Sequence, residues 1–173
     1  LPKASARLTL LNTEVNQTPQ QKLMSLLYGS ALKESLNEWH YDISLAGMHF
    51  HVNRVDDGIQ IDFGGYSEKL PLLIETVATK LKTISIDERR FEAIKEELKR
   101  NISNSVHEAS YRQLMYEMKF LSRKSHIHNY SFFDPRSEGG IDLISDVQLS
   151  DVQQYANKLY ERVAIEEIGR AHV

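Results

Sequence analysis

The chain has 173 residues, with 21 Lys and Arg against 24 Asp and Glu, seven His and no Cys. Leu, Ile, Val and Phe account for 48 of the 173 residues, about 28%, which is enough to bury a core and excludes an intrinsically disordered chain. A net charge of −3 with both signs interspersed leaves no footprint for nucleic acid or an anionic membrane, and the lack of Cys removes thiolate catalysis, iron–sulfur clusters, zinc ribbons and disulfide scaffolds. No apolar run approaches the length of a membrane span, and nothing in the composition selects a compartment.

Leu8 to Val15 is β-branched and apolar enough to predict a strand. Thr18-Pro19-Gln20-Gln21 then announces a helix: Thr18 caps, Pro19 suits the first helical position, and Gln21 completes a capping box. Leu23, Met24, Leu27, Ala31, Leu32 and Leu36 follow at three- and four-residue spacing, so one stripe faces a core. The pattern fades through Trp39 to Tyr41, and Gly47 marks the exit. Met48, Phe50 and Val52 next alternate with His49, His51 and Asn53, and Ile59, Ile61 and Phe63 alternate with Gln60, Asp62 and Gly64. With Asp56-Asp57-Gly58 as the turn, this predicts a hairpin with one apolar and one polar face, ending at Gly64-Gly65.

Ser67 caps the following helix, whose stripe is Leu70, Leu73, Ile74, Val77, Ala78 and Leu81. Ser85 or Asp87 caps the next, which carries Phe91, Ile94, Leu98 and Ile102. Asn101 to Ser105 is rich in side chains that compete for helical hydrogen bonds, so a break or kink is expected there. A further helix would carry Ala109, Leu114, Met115, Met118 and Leu121, and residues 123–140, with Pro135 and Gly139-Gly140, read as a loop. Ser150-Asp151-Val152-Gln153 opens a last helix through Tyr155, Leu159 and Val163, and Ala164-Ile165-Glu166 begins a strand. The order implies an α+β fold: an antiparallel sheet with helices packed on one face, incomplete at both ends. The residues after Glu166 continue no periodicity, and the closing Ile-Gly-Arg-Ala-His-Val looks like the translation of a common sequencing-adaptor oligonucleotide. Residues 167–173 are therefore expected to be an artefactual or disordered tail outside the fold.

Chemistry has no visible seat in these residues. His49 and His51 lie on one face of a strand, but zinc needs at least a third ligand, so a solvated strand face is the simpler reading. His126 and His128 read as part of a solvated loop, while His40 and His107 read as helix-end residues. Asp56-Asp57 lacks the spaced oxygen ligands of a calcium loop, and Arg89-Arg90 and Lys95 to Arg100 read as a solvated helix face. Gly64-Gly65 lacks the phosphate-loop pattern, and no Gly-x-Ser-x-Gly elbow occurs. Glu88, Glu92, Glu96 and Glu97 would hold a metal only with partners from elsewhere. No residue is assigned as catalytic, cofactor-binding or metal-ligating.

Three stretches, in order, resemble one family. Ala31 to Asp42 running through Leu45-Ala46-Gly47-Met48 is similar to the helix-to-strand passage of the middle, or third, domain of insulin-degrading-enzyme-like peptidases. Gly65-Tyr66-Ser67-Glu68-Lys69-Leu70-Pro71-Leu72-Leu73 resembles the strand-to-helix turn of that domain, and Ile86 to Glu96 resembles its next helix start. The likeness continues more weakly to Glu166, so residues 1–166 are expected to be part of that domain. The resemblance implies the pitrilysin/insulysin family of zinc metallopeptidases, built of four similar α+β domains whose two halves enclose a peptide-cleaving chamber. It implies zinc in the parent enzyme, held by an inverted His-x-x-Glu-His motif of the first domain and a distal Glu. It further implies peptide substrates and the other domains of the same chain as partners. No His-x-x-Glu-His occurs in this sequence, and the first helix carries Leu26-Leu27-Tyr28-Gly29 instead of paired histidines. Glu96 and Glu97 fall roughly where the distal Glu would lie in a catalytic copy, and without histidines they receive no ligand role. The expectation is thus a non-catalytic, chamber-forming domain of a zinc metalloendopeptidase whose active site lies upstream. The alternatives are a domain of a catalytically inactive homologue serving as a binding or structural subunit, and an independent domain binding metal through His49 and His51.

Overall fold

The computed structural model describes residues 2–15, 18–55, 58–81, 84–105, 107, 109–112, 114–115, 118 and 141–172. Along these run β1 (Lys3–Leu11), a 3-10 turn (Thr13–Val15), α1 (Pro19–Leu45), β2 (His49–Val55), β3 (Gly58–Tyr66), α2 (Leu70–Leu81), α3 (Glu88–Ser105), α4 (Asp142–Asp146), α5 (Leu149–Glu161) and β4 (Ala164–His172). The strands form one antiparallel sheet in the order β2-β3-β1-β4. The architecture is α+β, as the element pattern predicts.

Register and burial divide the sheet into two faces. Phe50, Phe63 and Ala6 form one row, Val52, Ile61 and Leu8 the next, and Ile59 pairs with Leu10 beyond them. All are buried or half-buried, and they meet Leu23, Leu27, Leu32 and Leu36 of α1, Leu73 and Val77 of α2, Phe91 of α3, and Val152 and Leu159 of α5 in one core. The alternate residues, among them Arg7, His49, His51 and Asn53, stand on the opposite, exposed face.

Local chemistry sets the ends of α1. The Gln21 N–H donates to Thr18 Oγ1 at 3.2 Å, and the Thr18 N–H donates to Gln21 Oε1 at 3.1 Å, so two otherwise orphaned donors are satisfied reciprocally. At the other end Gly47 adopts φ 72°, the Met48 N–H donates to the Ile43 carbonyl at 3.1 Å and the Gly47 N–H to that of Ser44 at 3.0 Å, which is a Schellman exit. The turn delivers the chain directly into β2.

Several boundaries differ from expectation. The first strand runs from Lys3 to Leu11 instead of Leu8 to Val15, because the Asn12 side chain turns the backbone: it accepts the Glu14 N–H at 3.0 Å and donates to the carbonyls of Lys158 and Leu159, each at 3.2 Å. Gly64 and Gly65 do not end β3; the strand passes through both to Tyr66. A side chain on Gly65 would meet Met48 Sδ at 2.3 Å and the Met48 Cα at 2.9 Å, so glycine permits the close strand approach here. The Ser67 N–H is donated to the Pro2 carbonyl, and α2 begins three residues later. Asp87 is the cap of α3, its Oδ1 accepting the Arg90 N–H at 2.7 Å. That helix does not break at Asn101 but continues to Ser105, since buried Ile102 holds its last turn to the core against weak local propensity.

The final helix starts at Leu149 with Gln148 as its cap, two residues before the expected Ser150, and the Gln148 N–H donates to Asp151 Oδ2 at 2.9 Å. The short α4 has too few residues for a periodic signal. Of the helix expected beyond Ala109, the described Leu114, Met115 and Met118 are helical but exposed, so they add nothing to the core among the described residues. Leu121, the expected loop 123–140 and the Asp56-Asp57 turn lie outside the described residues.

Residues 167–172, which the side-chain pattern sets outside the fold, continue β4 and pair with Leu8 back to Lys3. Pairing of this kind is a main-chain property. Every side chain from Ala164 to Gly169 is exposed, Ile165 by 65% and Ile168 by 66%, so side-chain periodicity carries no sign of the strand. Two buried polar centres join the helices. Lys95 of α3 donates to the carbonyls of Ser145 at 2.9 Å and Val147 at 3.0 Å and pairs with Glu92 at 2.8 Å. The Tyr28 hydroxyl of α1 donates to the Leu81 carbonyl at 2.9 Å and lies 2.7 Å from that of Tyr160.

Candidate functional site

The polar face of the hairpin and the flank of α1 beside it hold the densest group of chemistry-bearing side chains. Period two along β2 sets His49 and His51 side by side, with ring centroids 5.9 Å apart. The His49 imidazole lies across Gly64, where an added Cβ would come within 2.4 Å of Nε2. His40 approaches from the last turns of α1, 6.1 Å from the His51 ring and edge-on to Phe50 at 5.3 Å, and Trp39 packs on Phe50 at 5.4 Å. His40 is thus more than a helix-end residue: it closes one side of a cleft of about 440 Å³ between α1 and β2. Lys33, Leu36 and Asn37 complete the helix side, and Phe50, His51, Val52, Asn53 and Asp62 supply the strand side.

Asp62 sits at the hub of the polar face. It accepts hydrogen bonds from Arg7 Nε, from Gln60 Nε2 at 3.2 Å and from Asn53 Nδ2 at 3.3 Å. The Arg7 hydrogen bond chiefly holds its carboxyl below the usual carboxylate range, against the opposing effect of burial. The group is an anion whose lone pairs are already engaged. A second cleft of about 290 Å³ lies between α1 and α3, shares Lys33 and Asn37, and is bordered by Glu34, Glu97 and Asn101.

These residues do not fit a zinc centre. Among the described residues no three His, Asp or Glu converge on a point that could hold a metal ion. His49 and His51 point along an open strand face without a third donor, and Asp62 is occupied by Arg7. Glu96 pairs with Lys99 at 2.7 Å on the outside of α3, Glu92 with Lys95, and Glu97 borders the α1–α3 cleft. His126 and His128 lie outside the described residues, and His107 is exposed beyond the end of α3. What the arrangement offers is binding: an amphipathic cleft rimmed by hydrogen-bond donors and by the Asp62 carboxylate. Sequence reasoning passed over Lys33 and Asn37, although Lys33, Asn37 and His40 recur at i, i+4 and i+7 and so mark a polar stripe beside the core stripe of α1.

Comparison with known proteins decides the family. The model of the middle or third domain of peptidase M16 matches residues 1–132. The chain belongs to the peptidase M16 family. Insulin-degrading enzyme of Homo sapiens is 34% identical over 121 residues, 70% of this chain and 12% of that protein. A Schizosaccharomyces pombe relative, whose name carries the words zinc protease, is 24% identical over 168 residues, 97% of this chain and 16% of its own length. The crystal structure of pitrilysin superposes with a TM-score of 0.82 over 97% of this chain and 17% of that one, at 18% identity, and this likeness concerns the fold. The chain therefore spans between an eighth and a sixth of the curated relatives it matches. The stretches resembling the insulysin middle domain, Ala31 to Met48, Gly65 to Leu73 and Ile86 to Glu96, all fall inside the matched M16 segment.

Proposed function

We propose that this M16 domain is a non-catalytic wall of the chamber of a zinc-dependent metalloendopeptidase that hydrolyses peptides. Residues 1–166 form part of its middle domain, and the His-x-x-Glu-His centre sits in a domain that precedes it. One observation carries the reading: the chain matches the middle M16 domain while containing no His-x-x-Glu-His and no converging donor set among its described residues. The names of the human and fission-yeast relatives support peptide hydrolysis with zinc. In such an enzyme a zinc ion held by the preceding domain would supply Lewis-acid chemistry, and this domain would contribute enclosure and positioning.

The test uses the complete protein from its full reading frame. Cleavage of insulin-sized peptides that stops on chelation and returns with zinc is the expected result, with none from residues 1–166 alone. Chelator-sensitive cleavage by residues 1–166 would sink the non-catalytic assignment. An inert complete protein with degenerate zinc positions would instead make this a domain of an inactive homologue acting as a binding or structural subunit.

A further inference from the structure

We propose that the cleft between α1 and α3 binds a short, unblocked apolar peptide, a dipeptide by size, held at its two charged ends. The site goes beyond the peptidase reading and takes nothing from it.

At about 290 Å³ the cleft lies at the small end of ligand pockets, which run roughly from 300 to 1,000 Å³. Its two walls carry opposite charges. Lys33 lines it from α1 and Glu97 from α3, both exposed, and neither makes an ion pair or side-chain hydrogen bond among the described residues. The charges beside them are matched: Glu34 with Arg90 at 3.4 Å, Lys95 with Glu92 at 2.8 Å and Lys99 with Glu96 at 2.7 Å. In the neighbouring cleft Asp62 is taken by Arg7, Asn53 and Gln60. Glu97 is thus the carboxylate lining either cleft that has no cation among the described residues. Asn37 on the α1 wall and Asn101 on the α3 wall also make no side-chain hydrogen bond among the described residues, and half-buried Ile94 and Leu98 form the apolar part.

A ligand of one sign would satisfy one wall and meet its own charge on the other. A zwitterion satisfies both, its carboxylate at Lys33 and its ammonium at Glu97. The two side chains stand too far apart to pair with each other, so the ligand must bridge them. A dipeptide separates its charged ends by its two residues, which span at most about 7 Å, whereas a free amino acid carries both charges on one carbon. The carboxamides of Asn37 and Asn101 match the central peptide unit, and Ile94 and Leu98 match apolar side chains. Exposed charge pairs contribute little each, so the signature of the site is selectivity for both ends, not tight binding.

The experiment titrates the full chain with Leu-Leu, read by NMR chemical shifts, against N-acetyl-Leu-Leu, Leu-Leu amide, free leucine and Gly-Gly. Leu-Leu is expected to bind, and blocking either end to weaken it by about two- to five-fold, the range of an exposed charge pair. Free leucine and Gly-Gly should both bind more weakly than Leu-Leu. Glu97→Gln should remove the discrimination against the acetylated peptide and keep that against the amide, and Lys33→Met should do the reverse. Each is a ratio taken within one variant, so a folding defect cannot imitate it. Lys33 and Asn37 also border the 440 Å³ cleft, and the Glu97 variant assigns binding to the α1–α3 side. No binding of Leu-Leu, equal binding of a blocked peptide, of free leucine or of Gly-Gly, or discrimination that survives in the matching variant each overturns the site.

Discussion

Tyr28 places a phenol hydroxyl inside the core and gives it two partners, the Leu81 carbonyl and the Tyr160 hydroxyl. Tyr155 lies 6.0 Å away and Tyr160 packs edge-on at 6.4 Å, so three aromatic rings from two helices share this polar point. Tyr28→Phe keeps the ring but leaves the carbonyl and the neighbouring hydroxyl short of a partner, at an expected cost of about 1–3 kcal/mol in urea unfolding. The pH dependence has a definite sign. Burial pushes the Tyr160 phenol up to about 12, and burial pushes Tyr28 further still. Folding therefore favours the protonated phenols. Their contribution is complete below the unfolded tyrosine value of about 10 and is lost as pH rises from there through the folded values. Tyrosinate absorbance, followed with the unfolding midpoint, should show Tyr160→Phe flattening this alkaline loss. None of this is legible in the sequence: Tyr28 sits among core leucines in the pattern, and only the fold brings it to a residue 132 positions away.

At the scale of elements, Lys95 clamps three pieces together. It uses its ammonium hydrogens on Ser145, Val147 and Glu92, so α3 holds the turn between α4 and α5 by a buried, fully satisfied cation. Lys95→Met should cost about 2–4 kcal/mol by orphaning two carbonyls, and hydrogen exchange should report the loosening first in residues 142–149. The same lysine read in sequence as one charge on a solvated helix face, because i,i+3 and i,i+4 spacing cannot show which side another helix covers. Elements whose start or stop is written in local chemistry were legible. The Thr18–Gln21 capping box, the Gly47 exit and the Asp87 cap are contacts between residues no more than five apart. Elements held by distant partners were not: α3 outlasts its weak end because Ile102 is buried, and β4 extends because β1 offers it a main-chain edge.

For the whole molecule, the α+β class followed from the order of elements, whereas the strand order β2-β3-β1-β4 depends on pairings that no local pattern contains. The candidate cleft was half legible, its histidines visible as an alternation and its α1 wall hidden behind the core stripe. The boundary at Glu166 has its own test. Ending the chain there should leave the helices packed and the core intact, since the side chains of Glu167 to Gly169 are exposed. Amides of residues 3–8 that face β4 should lose exchange protection while those facing β3 keep it. Loss of the cooperative unfolding transition on truncation would place residues 167–172 within the domain.

The position of β1 also imposes an order on synthesis. Lys3–Leu11 leaves the ribosome before the three other described strands of its sheet, yet it occupies the interior of that sheet, between β3 and β4. Its ion pair to Asp62 waits 55 residues, and the Asn12 contacts to α5 wait 146 and 147. During that interval a nascent chain carries an alternating apolar segment with both edges open, the state most prone to mispairing with a neighbouring chain. The sheet closes only when β4 reaches β1, and a chaperone acting during synthesis would find its natural hold on Lys3–Leu11.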